Sequence, residues 1–394
     1  GIRDSVASRG LGDVYKRQAK MVSLDMDHPD IEAFIDWKLT EEEKVAALVS
    51  GSQHLQNHAN EILAAIQAHP DEDFKFDQAK NRPLAKAISV AMQAYVPENI
   101  IARVLELGEQ GYTHMDIETY DTSWEGEAYS TVSGQNSNNS VRVSNDFMQA
   151  VLNEDDWNLY WRTELDDAKE ESREPSPCKS IPANDLWDKI AKAAWSCADP
   201  GLQYDTTVNE WHTCSPDGPI NGSNPCSEYM FLDDTACNLA SLNLVKFYDD
   251  ETTKFDTEKY SHAIRLWTVA LEISVLMAQF PSEAIAQRSY DYRTLGLGYA
   301  NIGSLLMRMG IPYDDNRASA ICGALSSILG GVSYAASAEM SSVQGPFPRY
   351  NHNKDNMLRV MRNHRRAAYN APSEEYAVSY THLRAHETLR YLVC

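Results

Sequence analysis

The sequence predicts an α/β fold. Short segments with the residue types and alternation of β-strands occur between longer segments with helical apolar periodicity, and this alternation is typical of α/β proteins. The composition is that of a globular protein, with 394 residues, of which 43% are hydrophobic and 23% charged. A chain of this size can bury one large core or two modest ones. Periodicity alone does not identify the architecture.

The first third of the chain reads as one short strand followed by a series of helices. Residues 21–24 alternate weakly and predict the strand. Pro29 then marks a helix start, because proline costs nothing in the first helical turn. That helix has an apolar face made by Ile31, Phe34, Ile35 and Trp37. Further helices are predicted at 41–50, 54–68, 83–95 and 97–111, and residues 114–119 fit either a strand or a loop.

The rest of the chain alternates more regularly between strand and helix. A helix capped by Ser144 runs through residue 152, and residues 156–162 and 202–207 alternate as strands do. Between these strands an amphipathic helix begins at Asn184 or Asp185 and stops at Asp199-Pro200-Gly201. Its predicted apolar face comprises Leu186, Ile190, Ala194 and Trp195. A further strand is predicted at 238–245, and long helices at 255–279 and 316–339.

Charge and cysteine usage exclude several classes of function. The formal net charge is −22, and such a surface repels nucleic acid phosphates, so we expect no DNA or RNA binding. No unbroken run of about 18 apolar residues occurs and no signal peptide is readable, so we expect no membrane span. The seven cysteines lack CxxC spacing, which favours reduced thiols over a disulfide framework. Together these features predict a cytoplasmic protein.

Both ends of the chain differ from its interior. Residues 1–18 and 378–394 lack apolar periodicity, carry a basic excess and resemble translated adapter sequence at the ends of metagenomic reading frames. We therefore assign them as non-native tails and residues 19–377 as one partial domain. A natural flexible terminus is the alternative. On this interpretation the chain is an internal fragment of a longer protein.

The most informative segment is Asn224-Pro225-Cys226-Ser227-Glu228. A carboxamide, a thiol and a carboxylate occupy every second position. In an extended segment alternate side chains point to the same face, so one face would offer an amide, a sulfur and a potential base. Cys237 follows eleven residues after Cys226. In isolation such a pattern is usually a buried thiol beside a surface acid, so the flanking residues decide its meaning.

The flanking residues extend the pattern from Asn221 to Leu244, and this run closely resembles the large catalytic subunit of ribonucleotide reductases. It is most similar to the adenosylcobalamin-dependent branch. The resemblance covers residues 19–377. It implies part of a ten-stranded α/β barrel of the ribonucleotide reductase type, with the catalytic Cys226 on an internal loop. The family's later half, which binds substrate phosphates, is not expected in this chain.

The resemblance implies a role for each residue of the motif. Cys226 matches the cysteine whose thiyl radical removes the ribose 3′-hydrogen. Glu228 matches the general base that takes the 3′-hydroxyl proton, and Asn224 matches the amide that holds the sugar in register. Cys237 matches one cysteine of the redox pair that delivers two electrons and ends as a disulfide. The second cysteine of that pair is expected before Ala19.

The resemblance also implies the reaction and its partners. The reaction is reduction of ribonucleotides to 2′-deoxyribonucleotides, with adenosylcobalamin as the cofactor. The implied partners are a ribonucleotide substrate, a deoxynucleotide or ATP effector and a thioredoxin-type reductant, and a homodimer is a candidate assembly. One alternative is a reductase large subunit driven by a metal-containing radical partner subunit. The other is a non-catalytic acidic interaction domain, in which Asn224, Cys226 and Glu228 would not converge.

The remaining cysteines and one histidine raise the question of a metal site. His212, Cys214, Cys226 and Cys237 carry zinc-ligand chemistry, but their spacing lacks the close paired ligands of most structural zinc sites. We therefore predict no metal site. Cys214 and Cys197 match no redox position and are predicted to be core or loop thiols.

Three polar or glycine-rich segments allow competing interpretations. Gly296-x-Gly298 with Gly303 suggests a dinucleotide loop, but Asn301 stands where the third glycine belongs and no clear strand precedes it. This segment resembles a helix-packing region of the family. Residues 134–143 also resemble the cobalamin-dependent branch, and they predict either a lining of the nucleotide site or a solvated turn. Residues 28–32 resemble a segment that follows the loop between effector and substrate sites.

Overall fold

The computed structural model describes residues 20–123, 126–134, 137–369 and 371–372. The predicted tails, 1–18 and 378–394, lie outside these residues, so their assignment as non-native segments stays a prediction. The described residues form a mixed α/β structure, as predicted. The chain divides into two units. Among the described residues, the first unit comprises those between 20 and 141 and between 149 and 202, and the second comprises those between 142 and 148 and between 203 and 372.

Nine strands and thirteen helices occur within the described residues. The strands are β1 (Lys20–Asp25), β2 (Ser137–Val143), β3 (Asp156–Leu159), β4 (Lys179–Pro182), β5 (Gly201–Tyr204), β6 (Asn238–Asn243), β7 (Tyr248–Asp249), β8 (Lys254–Phe255) and β9 (Leu295–Ala300). The helices are α1 (Ile31–Gln67), α2 (Arg82–Gln93), α3 (Glu98–Glu109), α4 (Glu127–Ser130), α5 (Asn145–Asn153), α6 (Arg162–Glu171), α7 (Ala183–Cys197), α8 (Asp205–Glu210), α9 (Thr257–Met277), α10 (Glu283–Tyr292), α11 (Ile302–Arg308), α12 (Asn316–Gln344) and α13 (Tyr350–Ala368). The described strands belong to four sheets, with orders β1-β2-β5, β3-β4, β6-β9 and β7-β8.

A three-helix core organises the first unit. α1 packs against α2 and α3 through apolar side chains that are removed from water, namely Ala59, Ile62, Leu63, Ile66, Leu84, Ile88, Ala91, Val96, Ile101 and Val104. Buried Asn81 starts α2, because its side-chain oxygen accepts the Leu84 N–H at 3.1 Å. Burial of apolar area at about 25 cal/mol per Å² is the main force that holds these helices together.

Helix α1 corrects the predicted organisation of this region. The three helices predicted over residues 31–68 are one continuous helix of 37 residues. The predicted break at Gly51 does not occur, and a Cβ at this glycine would meet nothing within 4 Å. A glycine in a helix interior costs only about 1 kcal/mol. Packing of the flanking apolar turns offsets this cost.

Most other elements of the first unit agree with the sequence predictions. β1, α2, α3 and α7 lie where they were predicted, and residues 114–119 form a loop. β3 covers the first part of the strand predicted over 156–162 and ends at Leu159. The predicted apolar face of α7 is wrong at its end, because Ala193 is buried whereas Trp195 is 88% exposed. α6 and β4 were not predicted. The predicted strand at 202–207 is β5, which ends at Tyr204 and gives way to α8.

Strand β2 replaces part of a predicted turn. A solvated turn was one interpretation of residues 134–139, but β2 begins at Ser137, and Asn139 and Ser140 are buried. The Asn139 N–H donates to Asp199 at 3.3 Å, and Asp199 is paired with Lys38 at 2.6 Å. Ser137 and Asn139 are therefore interior groups with hydrogen-bond partners, whereas Asn138 between them is exposed. Residues 135 and 136 lie outside the described residues.

The second unit is built around the parallel pair of strands β6 and β9. α9 lies between these strands in sequence and packs against both. The main apolar core of this unit comprises Leu242, Leu244, Phe247, Tyr260, Ile264, Leu305 and Leu325. β6, α5, α9 and α12 were predicted, whereas α10 and α13 were not.

The glycine-rich segment 295–300 is a strand, so its predicted role in helix packing is wrong. Gly296 pairs with Leu239 and Gly298 pairs with Ser241 in the parallel register of β6 and β9. A Cβ at Gly296 would lie 2.3 Å from Leu239 Cδ2 and 3.2 Å from the Asn238 carbonyl oxygen. Absence of a side chain at Gly296 therefore allows a close strand–strand approach. These glycines lie within a strand rather than in a loop after one, as a dinucleotide site would require.

Helix α12 bears on the expectation that the chain has no membrane span. Among the described residues it is the one helix long and apolar enough to cross a membrane. A core helix of a folded domain can have the same length and composition. In this structure, Leu325 of α12 is buried in the core of the second unit, and Glu339 pairs with Arg265 of α9. The absence of a membrane span stays a prediction.

Candidate active site

The Cys226 segment is a tight turn. The Asn224 carbonyl oxygen accepts the Ser227 N–H at 2.9 Å, and the Asn224 N–H donates to the Tyr229 carbonyl oxygen at 3.3 Å. Pro225 has the fixed φ that suits the second position of a turn, and Ser227 has a positive φ of 63°. The prediction of an extended segment with alternating side chains is therefore wrong here. Asn224 and Cys226 belong to this reversal of the chain, and Glu228 directly follows it.

The side chain of Asn224 helps to close this turn. Its Oδ1 accepts the Tyr229 N–H at 2.9 Å, and the Ser223 hydroxyl donates to the Asn224 carbonyl oxygen at 2.9 Å. One antiparallel bridge between Ser223 and Met230 flanks the turn. Because Oδ1 is engaged, the group that Asn224 offers to a ligand is its Nδ2 amide donor.

Exposure differs between the two cysteines of the motif. Cys226 and Glu228 are exposed near the tip of the turn, whereas Cys237 is partly buried immediately before β6. A molecule approaching the turn can therefore reach the Cys226 sulfur. Cys237 lies against β9, since its Sγ is 3.5 Å from the position that a Cβ on Gly296 would take.

Glu228 acts electrostatically on Cys237. Burial raises the pKa of the Cys237 thiol, and the negative charge of Glu228 raises this pKa further. Both causes disfavour the thiolate, so Cys237 is held as a protonated thiol at neutral pH. The structure therefore brings the carboxylate of the Cys226 turn close to the second cysteine, nine residues away in the sequence.

A network of three hydroxyl groups connects the turn to Cys237 and β9. The Tyr229 hydroxyl lies 2.9 Å from Thr235 Oγ1 and 2.8 Å from Thr294 Oγ1. Thr235 donates to the Leu232 carbonyl oxygen at 2.5 Å, and Thr294 donates to the Ala236 carbonyl oxygen at 2.9 Å. Ala236 directly precedes Cys237, so this network fixes the backbone on which Cys237 is carried.

Helix α10 holds the same loop from a second direction. Its buried Ser289 accepts the Ala236 N–H at 3.2 Å, and its Arg288 donates to the Asp233 carbonyl oxygen at 2.8 Å. The Asn221 side chain donates to the Asp233 carboxylate at 2.8 Å, which ties the two ends of the loop together. Both ends of the 221–237 loop are therefore fixed, and Cys226 lies between them.

An aromatic cluster packs next to the loop. Phe231 contacts Tyr292 and His212 edge to face, with ring centroids 5.4 and 5.5 Å apart. Cys214 is buried in the same cluster, and burial raises the pKa of its thiol. Burial also lowers the pKa of His212, which favours the neutral imidazole. The prediction that Cys214 is a core thiol is confirmed.

The described residues contain no group of three or more His, Cys, Asp or Glu side chains that could hold a metal ion. His212 is occupied by aromatic packing and accepts the Cys214 N–H at 3.4 Å. Cys197 lies at the end of α7, in the first unit, where its Sγ contacts the Ala193 carbonyl oxygen at 3.3 Å. The predicted absence of a metal site stays a prediction for the whole chain.

Helix α13 anchors the segment that leads to the turn. Buried Asp217 is paired with Arg349 and accepts from Asn353 Nδ2 at 2.6 Å. Asn356 of the same helix donates to the His212 carbonyl oxygen at 2.6 Å. One face of α13 therefore fixes residues 212–217, which precede the Cys226 loop in the chain.

Comparison with known proteins identifies the family. The family described as "Ribonucleotide reductase, barrel domain" matches residues 12–388 of the chain. The chain belongs to this family. Membership confirms the predicted fold class, although within the described residues the strands are assigned to four small sheets rather than to one closed barrel.

The relatives of this chain carry consistent names. It is 57% identical over 366 residues to the vitamin B12-dependent ribonucleotide reductase of Agrobacterium fabrum, which covers 93% of this chain and 28% of that protein. It is 53% identical over 369 residues to the enzyme of the same name from Bradyrhizobium diazoefficiens, covering 93% of this chain and 29% of that protein. The chain therefore spans less than a third of the length of these relatives.

A more distant relative carries a more specific name. The chain is 29% identical over 248 residues to the vitamin B12-dependent ribonucleoside-diphosphate reductase of Thermoplasma acidophilum, covering 63% of this chain and 30% of that protein. The motif residues that sequence reasoning selected all lie in or beside one loop, namely Asn224, Cys226, Glu228 and Cys237. Sequence reasoning missed Tyr229 and Thr294. Tyr229 directly follows the motif, but its contact with a residue 65 positions later is not readable from spacing.

Proposed function

We propose that this chain carries the radical site of an adenosylcobalamin-dependent ribonucleotide reductase, which converts ribonucleotides to 2′-deoxyribonucleotides. The observation that carries the proposal is the Cys226 turn. It presents an exposed thiol, it has a carboxylate two residues away, and that carboxylate lies close enough to Cys237 to raise its pKa. The names of the relatives support the cobalamin branch.

Each group of the turn has a step for which its chemistry is suited. Cys226 takes the 3′-hydrogen of the ribose onto its sulfur, which needs an accessible thiol. Glu228 accepts the 3′-hydroxyl proton as a general base. Asn224 donates from Nδ2 to a sugar hydroxyl and so holds the ribose in register. Adenosylcobalamin, when bound, supplies the one-electron chemistry that makes radical formation on a thiol accessible.

Cys237 is the proposed source of electrons. Loss of the 2′-hydroxyl as water and formation of a new C–H bond need two electrons and two protons. Two thiols supply them and become a disulfide. The second thiol is the cysteine that the family resemblance places before Ala19. A Cys237 thiol that is kept protonated by burial and by Glu228 retains the proton that this step consumes.

The exposure of the turn fits the proposed cofactor. Cys226 is exposed among the described residues, which leaves its sulfur open to a cofactor. We also propose a thioredoxin-type reductant for the disulfide, a nucleotide effector, a homodimeric assembly and a cytoplasmic location, where thiols stay reduced. A metal-containing partner subunit is the alternative, and it predicts that the complete enzyme needs no cobalamin.

The experiment uses the complete reductase polypeptide that contains this sequence. Cys226→Ser changes one atom, so the fold should change little. The variant should lose deoxynucleotide formation and also the exchange of the cofactor's 5′-hydrogens with solvent, measured with tritium-labelled cofactor. Cys178→Ser is the matched control, since Cys178 is also exposed but belongs to the first unit. Exchange at the wild-type rate in Cys226→Ser would place the radical elsewhere.

A further inference from the structure

Tyr229 connects the two cysteine-bearing segments of the site. Its main chain closes the Cys226 turn through both its N–H and its carbonyl oxygen, each bonded to Asn224. Its side chain leaves the turn and ends between the hydroxyls of Thr235 and Thr294. Thr294 in turn contacts the carbonyl oxygen of Ala236, next to Cys237. One residue therefore bonds to the Cys226 turn with its backbone and to the Cys237 segment with its phenol.

A count of protons shows what the phenol contributes. The three hydroxyls of Tyr229, Thr235 and Thr294 have three protons, whereas the network has four contacts: two between hydroxyls and two to carbonyl oxygens. Without the Tyr229 hydroxyl, each threonine still has its carbonyl acceptor. The phenol is therefore not needed to satisfy a buried donor. With both threonine protons on carbonyl oxygens, the single phenol proton bonds one threonine at a time, so its contribution is a hydrogen bond from the Cys226 turn to Thr235 or to Thr294.

The surroundings of the phenol keep it protonated. Burial is the main cause that raises the pKa of Tyr229, and it outweighs the hydrogen bonds to Thr235 and Thr294, which lower it. The ring packs beside Phe231, with centroids 6.0 Å apart. A Tyr229→Phe substitution keeps this ring packing and removes only the hydroxyl. Its effect therefore reports on the hydroxyl contacts alone and not on the packing of the ring.

We propose that Tyr229 is a positioning residue whose hydroxyl holds the Cys237 segment at a fixed place relative to the Cys226 turn. Its catalytic consequence rests on the proposed function, but its structural consequence does not. Without the hydroxyl, residues 235–237 lose this link and keep the bond of the Ala236 N–H to Ser289, the carbonyl contacts of the two threonines and the contact of Cys237 with β9. Cys237 then samples positions in which its partly buried sulfur is open to solvent.

The structural test measures alkylation of Cys237 by iodoacetamide in the 394-residue chain, resolved by peptide mass spectrometry. Tyr229→Phe should react at Cys237 about fivefold faster, the factor that corresponds to one neutral hydrogen bond. Thr294→Val, which also loses the donor to the Ala236 carbonyl oxygen, should show at least the same increase. Because both act on one network, the double variant should react no faster than the faster single variant. Thr294→Ser, which keeps the hydroxyl, should restore the wild-type rate.

Tyr299→Phe is the matched control. Tyr299 lies on β9, and its phenol hydroxyl is 3.0 Å from the hydroxyl of Ser326. The substitution therefore also removes a phenol hydroxyl that contacts another hydroxyl group. Its Cys237 should react at the wild-type rate. The positioning role is refuted if Cys237 in Tyr229→Phe is alkylated at the same rate as in this control. It is also refuted if the rate increases of Tyr229→Phe and Thr294→Val multiply in the double variant.

The catalytic test uses the complete reductase polypeptide. Tyr229→Phe should lower kcat about fivefold or more at unchanged KM, because the geometry between Cys226 and Cys237 matters for turnover and not for nucleotide binding. Unchanged kcat would remove the catalytic consequence even if alkylation rises. The two proposals fail separately: exchange that persists in Cys226→Ser refutes the proposed function, and wild-type alkylation in Tyr229→Phe refutes the positioning role.

Discussion

Replacing Gly296 by valine should destabilise the second unit and disturb Cys237, whereas the same replacement at Gly298 should not. Both glycines lie on β9 in the same parallel ladder, so the two substitutions are chemically identical. A Cβ at Gly296 would lie 2.3 Å from Leu239 Cδ2, 3.2 Å from the Asn238 carbonyl oxygen and 3.5 Å from Cys237 Sγ. At Gly298 the nearest atom would be Ser241 Oγ at 4.0 Å.

The magnitude follows from which neighbours can move. Leu239 is 66% exposed, so its side chain can rotate away from a new Cβ at Gly296 at little cost. The Asn238 carbonyl oxygen belongs to the backbone of β6 and cannot move away in this manner. The methyl groups of valine add further volume beside this oxygen and beside Cys237. Overpacking of this kind costs about 1–3 kcal/mol. The entropy that the unfolded chain loses when a glycine is replaced is common to both variants and cancels in their comparison.

The assay is urea denaturation of the two variants, combined with alkylation of Cys237. We expect Gly296→Val to be less stable than Gly298→Val by about 1–3 kcal/mol and to alkylate faster at Cys237. Gly296→Ala should lie between them, because it adds only the Cβ. Equal unfolding midpoints for the two valine variants would show that the close approach of β6 and β9 does not constrain this position.

Three further perturbations test the site. Glu228→Gln should lower kcat of the complete enzyme by about 10²-fold. Glu228→Gln removes a charge that raises the pKa of Cys237, so the pH profile of Cys237 alkylation should shift to lower pH. Asp234→Asn removes a charge that does not act on Cys237 and should leave this profile unchanged. Cys237→Ser should abolish multiple turnover driven by a dithiol, since no disulfide can form. Arg349→Met should destabilise the chain by about 1–3 kcal/mol in urea denaturation, because buried Asp217 loses its charged partner.

Each of these expectations has a result that contradicts it. An unchanged alkylation profile in Glu228→Gln would show that its charge does not act on Cys237. Sustained dithiol-driven turnover in Cys237→Ser would remove that cysteine from the redox pair. Arg317→Met is the control for Arg349→Met, since Arg317 pairs with Asp315 at an exposed position where ion pairs contribute about 0–1 kcal/mol. Equal losses in the two arginine variants would show that the pairing of Arg349 with the buried Asp217 carboxylate contributes no more than an exposed ion pair.

Local patterns predicted the helices well and the strands less well. Four helices could be predicted because each keeps an apolar face at helical spacing, namely α2, α3, α7 and α9. Their start signals, such as Pro97 before α3, are also local, since each involves only a few neighbouring residues. β9 was not readable, since Leu295–Ala300 alternates glycine with larger residues and has no strand-like composition. It forms a strand because β6 lies beside it, and that pairing joins segments more than fifty residues apart.

The sequence by itself determined the family and the chemistry of the site. Asn224, Cys226, Glu228 and Cys237 are close together in the chain, and their residue types limit what they can do. The shape of the turn, the electrostatic effect of Glu228 on Cys237 and the link through Tyr229 were decided only by the tertiary structure. The physical reason is that each depends on burial and on contacts with Thr294, Gly296 or Ser289, which the folded chain brings back to the loop from more than fifty residues away.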